Sequence, residues 1–309
     1  MRQETRHSNG GPEASQPRSR DAAAVWLSWA ARQIAAADLR SARLDAELLL
    51  AHALEADRLA VLAGLRDPVP PAAALRFQAL VERRAAGEPV AYITGRRAFW
   101  DFEVQTTPAA LIPRPETEVL VELALAHLGP QAHQVADIGT GTGCVILALL
   151  RERAQLTGFA TDRSQAALDL ARRNAAALGL ERRIQFLRGD LLAPLRELGL
   201  QASLDLIVSN PPYCDPAQHA ELESGVRDYE PRSALLAAEG GLGFHRRLIE
   251  ESGGLLRAGG LLAIEIGAGQ LGAVRDLAAA CGGWRWLEAA DDLQGHPRAV
   301  ALQWRMESS

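Results

Sequence analysis

From about residue 134 onward, two kinds of apolar run alternate, and this constrains the fold more than any other feature of the chain. "QVADIG" (134–139), "TGFATD" (157–162), "RIQFLRGD" (183–190) and "LDLIVS" (204–209) are short, aliphatic and strand-like. "VILALLRER" (145–153) and "QAALDLARRNAAAL" (165–178) lie between them with helical spacing. A helix around 243–257 and "GLLAIEIG" (260–267) continue the series. Strand–helix alternation over about 170 residues predicts an α/β domain with a doubly wound, mainly parallel sheet. "WRWLEAADDLQGHPRAVALQW" (284–304) holds two runs with no helix between them, so an antiparallel pair closes the sheet at seven strands.

Such a sheet binds ligands beyond the carboxyl ends of its strands, where the strand order reverses. The first strand ends in "DIGTGTGC", which puts Gly139, Thr140, Gly141, Thr142 and Gly143 at the strand-to-helix turn. Glycines there let the backbone turn sharply and let a ligand approach the main chain. Asp162 ends the second strand, 19 residues beyond Gly143, where a carboxylate can accept from both hydroxyls of a ribose. Dinucleotide loops run G-x-G-x-x-G. Here the spacing is G-x-G-x-G, and Cys144 stands where that pattern wants glycine. The tighter loop fits S-adenosyl-L-methionine, which has no pyrophosphate. Asp190, after the third strand, is placed for the adenine amine, and Leu191 for packing on its ring. Asp137 orders the loop rather than touching the ligand.

The fourth strand stops at Asn210-Pro211-Pro212-Tyr213. Two prolines in succession end any strand, because neither donates a backbone N–H and both fix φ. With the strand order 3-2-1-4-5, this turn faces the glycine loop across one crevice.

Residues 21–90 read as a small Ala-rich helical domain. Leu27, Ala31 and Ile34, and likewise Leu44, Leu48 and Ala51, form one apolar stripe each. The proline-punctuated segment 91–118 reads as a β-hairpin linker, and 119–309 as the α/β domain that binds S-adenosyl-L-methionine. Residues 1–20 are polar and read as a disordered tail rather than a signal peptide. No run of about 18 apolar residues suggests a membrane span. The three cysteines are far apart and suit a reducing cytoplasm, and the histidine spacing supports no metal site. All 33 basic residues are arginine, which excludes a P-loop lysine and Schiff-base chemistry. A formal charge of -5 and pI near 5.9 argue against stable nucleic-acid binding over a broad surface.

Asn-Pro-Pro-Tyr in this position resembles the motif of methyltransferases acting on nitrogen attached to an sp² carbon. In that reading Asn210 Oδ1 and the Pro211 carbonyl accept the two N–H groups of the target, and Tyr213 packs against its plane. Catalysis is then positioning and electrostatics. The motif alone does not separate a glutamine amide from an adenine amine. Taken with "LIPRPETE" (111–118), "YEPRSAL" (229–235) and "EIGAGQ" (265–270), it resembles the bacterial release factor glutamine methyltransferases over roughly residues 21–305. The resemblance implies a seven-stranded, Rossmann-like methyltransferase domain behind a helical substrate-docking domain. The implied substrate is the glutamine of the Gly-Gly-Gln motif in peptide chain release factors. Asp101 departs from the family's usual glycine, Thr94 from an aliphatic residue and Cys214 from isoleucine. A ribosomal-protein glutamine methyltransferase would share the chemistry. A DNA adenine methyltransferase would need a target-recognition domain and a basic face, and neither is legible. A non-catalytic adenosine-binding protein would have no use for Asn-Pro-Pro-Tyr.

Overall fold

The computed structural model describes residues 16–18, 20–36 and 41–305. Of the expected tail at 1–20, residues 1–15 and 19 lie outside the described residues. The chain divides into two compact units, Met1–Thr94 and Gly95–Ser309.

The first unit is helical: α1 (Ala23–Ala35), α2 (Ala42–Leu54), α3 (Arg58–Ala63), α4 (Pro71–Ala85) and α5 (Val90–Thr94). Trp26, Leu27, Ile34, Leu49, Leu50 and Phe77 are fully buried at its centre. Trp26, Trp29 and Phe77 meet edge to face, with centroids 5.8–6.4 Å apart. The stripe expected on α2 is only partly the one buried: Ala51 is in the core and Leu48 is half-buried, but Leu44 is exposed, and Ala46, Leu49, Leu50 and Ala53 complete the core face. Both stripes have helical spacing on a helix that is apolar almost all round. The choice falls to the buried acids, since Asp45 pairs with Arg84 at 2.7 Å and Glu47 with Arg43 and Arg58. The expected linker at 91–118 is divided too. Ile93 of α5 packs into the helical core, so 91–94 finish the first unit and 95–118 belong to the second.

The second unit opens with a hairpin, β1 (Arg96–Phe99) and β2 (Phe102–Gln105). Trp100 takes the left-handed backbone at its tip (φ +57°), donating its N–H to Glu118 and its indole N–H to Glu152. Asp101, the departure from the family pattern, is held by both arms of Arg151 at 2.9 and 2.5 Å. Then follow α6 (Glu118–His127), β3 (Gln134–Ile138), α7 (Cys144–Glu152), β4 (Thr157–Asp162), α8 (Gln165–Ala177) and β5 (Ile184–Arg188). After these come α9 (Ala193–Glu197), β6 (Leu204–Ser209), α10 (Ser224–Tyr229), α11 (Gly243–Ser252), β7 (Leu256–Glu265), α12 (Leu271–Cys281), β8 (Trp284–Asp291) and β9 (Pro297–Trp304).

The seven strands lie in the order β5-β4-β3-β6-β7-β9-β8, parallel up to β7, with β9 and β8 antiparallel. Their side chains alternate between two cores. Val135, Leu206 and Val208 join α6, α7 and the hairpin phenylalanines, while Ala136, Ile138 and Ile207 join α9, α11 and α12. The order reverses between β3 and β6, as the sequence implies, and that is where the molecule is hollow.

Candidate active site

The hollow is a cavity of about 1060 Å³, counting its open mouth, over the carboxyl ends of β3, β4 and β6. Gly139, Thr140, Gly141, Thr142, Asp162, Asp190, Leu191, Asn210, Pro211 and Pro212 all line it. Two expected site residues do not. Gly143 (φ +82°) caps α7, and a Cβ added there would meet Ala171 of α8 at 3.2 Å. Its glycine therefore serves close helix packing, not the cavity. Tyr213 turns beneath the cavity, for reasons given below.

The loop is tied at several points. Gly139 and Thr140 donate their N–H groups to the Thr161 carbonyl, both at 2.9 Å. The Thr140 hydroxyl donates to Asp137 at 2.6 Å, consistent with an ordering role for that carboxyl, which burial pushes up to about 7. Asn174 of α8 was not foreseen. It donates to the Thr142 and Gln105 carbonyls and accepts from the Gln105 N–H, so one side chain fastens both loop and hairpin. An Asn within the Ala- and Leu-rich run 165–177 is the one signal that could have marked it, and the structure buries it.

Asp162 accepts from the N–H of Gly141 at 3.1 Å and of Ser164 at 2.8 Å, one per oxygen. Burial raises its pKa against these donors. Each oxygen keeps a second lone pair, so the carboxylate can still receive two hydroxyls. The Asp190 carboxylate is held at the rim by Arg247 at 2.7 Å. Leu191 adopts the left-handed region (φ +47°) while its carbonyl accepts from the Thr161 hydroxyl.

Opposite stands Asn210, whose Nδ2 donates to the Thr117 hydroxyl at 3.1 Å. With its nitrogen so committed, Oδ1 is left as the acceptor. Behind it the "EIGAGQ" segment holds the turn. Tyr213 donates its hydroxyl to Glu265 at 3.3 Å, its ring edge lies against Gly267, and its carbonyl accepts from Gln270 at 3.1 Å. Gly241 (φ +91°) packs so closely that a Cβ would fall 2.2 Å from that carbonyl. Across the mouth, buried Glu230 pairs with Arg114 and accepts from the Ile112 N–H, so "YEPRSAL" secures "LIPRPETE". The cavity suits S-adenosylmethionine. Glycine backbone is open on one wall, and carboxylates end successive strands.

Fold and cavity together define a seven-stranded methyltransferase. Residues 115–225 match the methyltransferase small domain model, and residues 25–95 match the PrmC N-terminal domain model. Among solved structures the hMettl16 catalytic domain, in complex with MAT2A 3'UTR hairpin 6, is similar at a TM-score of 0.53 and 18% identity. That match covers 77% of this chain and 82% of the other and shows the fold alone. The release factor glutamine methyltransferase of Moorella thermoacetica is 44% identical over 91% of this chain and 98% of its own. That of Cereibacter sphaeroides is also 44% identical, again over 91% and 98%. The chain therefore belongs to the release factor glutamine methyltransferase family. It is an enzyme, and its cofactor is S-adenosylmethionine.

Proposed function

We propose that this enzyme methylates the side-chain amide nitrogen of the glutamine in the Gly-Gly-Gln motif of peptide chain release factors, in the cytoplasm. The observation that carries the reading is Asn210 at the end of β6, with Nδ2 held by Thr117 and the glycine loop of β3 across the same cavity. An amide nitrogen is a poor nucleophile because its lone pair is delocalised. Asn210 Oδ1 and the Pro211 carbonyl accept its two N–H groups, keep electron density on nitrogen and fix its direction. When bound, S-adenosylmethionine supplies an electrophilic methyl on a sulfonium. Asp162 orients its ribose, Asp190 and Leu191 its adenine, and the segment Gly139–Thr142 its main-chain contacts. Tyr213 acts from below, by stiffening the turn, rather than by stacking on the target.

The helical unit serves as the docking platform. Leu59 and Leu75, 74% and 69% exposed on α3 and α4, are the large apolar side chains it offers to a partner. No helix among the described residues is long and apolar enough to cross a membrane. The test is mass spectrometry of a release factor incubated with enzyme and cofactor. One methyl on the Gly-Gly-Gln glutamine is expected, and no mass gain there would end the substrate claim.

A further inference from the structure

Glu265 ends β7 one strand away from Asn210, since Ile264 pairs with Ser209. The residue is 1% exposed. Oε1 accepts from Tyr213, but Oε2 is buried with no hydrogen-bond partner among the described residues. The rotatable proton beside this carboxylate is that of Thr117, which favours its ionised form. Thr117 meanwhile accepts from Asn210 Nδ2. A hydroxyl carries one proton. Having accepted from Asn210, Thr117 keeps its own proton free to donate, and the buried, unpartnered Glu265 Oε2 is an acceptor without a donor.

We propose that Glu265 and Thr117 are positioning residues: the ionised carboxylate aims the Thr117 hydroxyl, which in turn holds the Asn210 amide with Oδ1 toward the substrate. The inference rests on the reading of Asn210 given above. Protonated, Glu265 becomes a donor to the Thr117 oxygen. The threonine proton then turns to Asn210, which offers Oδ1 to it and presents Nδ2 to the substrate. A donor facing the target's own N–H groups forfeits the hydrogen bonds that orient it. No covalent bond changes; one proton is taken from solvent.

The exchange belongs near neutral pH, because burial pushes the Glu265 carboxyl up to about 7. The groups facing it are Thr117 and Glu116 before α6, Tyr213 after β6, Arg298 on β9, Cys144 on α7 and His245 on α11, whose Nε2 meets the Glu265 main-chain oxygen. Arg298 opposes the rise and Glu116 adds to it. The Cys144 thiol is pushed up to about 12, Tyr213 is also raised, and burial lowers His245, so all three stay neutral near pH 7. Asp137 titrates in the same range, so the profile is read as the difference between wild type and variant.

The experiment is single-turnover methylation of a saturating release factor from pH 6 to 9, beside calorimetric titration of the cofactor. Wild-type turnover should rise between pH 6 and 8. In Glu265→Gln the Tyr213 hydroxyl keeps the amide oxygen, leaving an NH₂ toward Thr117 that mimics the protonated acid. Turnover should fall about tenfold or more, by comparison with direct loss of a preorganised partner, and that share of the rise should vanish. Thr117→Val should lose a similar factor, Thr117→Ser should stay within about threefold of wild type, and cofactor affinity should stay within about threefold in all. If Glu265→Gln does not fold, the threonine pair decides. Normal turnover in Thr117→Val, an equal loss in Thr117→Ser, or losses that track cofactor affinity would each overturn the proposal. Asn210→Ala separates the two layers. If it is inactive while Thr117→Val is normal, only the positioning idea fails. If Asn210→Ala keeps normal turnover, the reading of the asparagine fails and the positioning role with it.

Discussion

Asn210 separates binding from chemistry at the scale of one side chain. Its amide donates to Thr117 and lines the cavity, and among the described residues it makes no hydrogen bond to the loop, Asp162 or Asp190. Asn210→Ala should bind S-adenosylmethionine within a few-fold of wild type yet lose on the order of 10²–10³ in turnover. Asn210→Asp still accepts but sets a negative charge near the sulfonium, so cofactor binding should hold or tighten while turnover drops. Single-turnover rates beside a cofactor titration check both. Asp162→Ala should show the reverse pattern. Loss of a charged hydrogen-bond acceptor costs about 1.5–3 kcal/mol, roughly ten- to a hundredfold in cofactor affinity by calorimetry. Equal binding by variant and wild type would remove that carboxylate from the site.

At the scale of elements, the turn after β6 depends on a segment far along the chain. Gly241 packs against the Tyr213 carbonyl with φ +91°, so Gly241→Ala brings both a clash and backbone strain of about 1–2 kcal/mol. Turnover should fall at least tenfold in that variant, as expected when a catalytic turn shifts by an ångström, with cofactor affinity little changed. Retained turnover would show that the turn tolerates displacement. This dependence also explains which parts of the molecule were legible in advance. Strands β3 to β7 could be read because each is a short aliphatic run closed by glycine, acid or proline within two residues of its end, and β3 and β6 are buried on both faces. The cavity wall could be read because it follows directly from those strand ends. The buried face of α2 could not, since Leu44 and Leu49 are equally apolar and only the Arg84–Asp45 pair decides between them. Helices α6 and α12 carry no loop signature, and α6 lies next to a segment rich in proline. Thr117, Asn174 and Glu265 act on the site from 93, 32 and 52 residues away along the chain, respectively from Asn210, Thr142 and Tyr213. Pattern within a window does not see such distances.

The whole molecule carries opposed acids. Asp137 and Glu265 have carboxyls raised to about 7 in the fold, against about 4 when unfolded. Their stabilising share is fully present below pH 4 and is lost as pH climbs through 7. Asp292, held near 2 by Arg298 and backbone donors, acts oppositely. So does Asp205, which burial would raise but which the His133 and Gln134 N–H groups and Arg257 bring below its usual value. Their contributions are lost only as pH falls below the usual carboxylate range. Melting of the cofactor-free protein should therefore shift down between pH 5 and pH 8, and less so in Asp137→Asn. An unchanged slope in that variant would clear Asp137 of the effect. The helical unit makes its own prediction. Replacing both Leu59 and Leu75 with Glu should raise KM for a folded release factor several-fold and leave a short Gly-Gly-Gln peptide unaffected. Equal effects on both substrates would locate docking elsewhere. The sheet order has a consequence in time as well as space. The strand that covers the flank of β7 is β9, and β9 ends 39 residues after Glu265, the last residue of β7 (304 − 265). At about 5–20 residues per second of synthesis, Leu261–Ile264 wait roughly 2–8 s with their hydrogen-bonding edge unpaired. Edge strands so apolar are templates for pairing with other chains. The nascent protein is therefore most vulnerable to misassociation in the interval between making β7 and making β9, after its cofactor cavity has all its lining residues but before its sheet is closed.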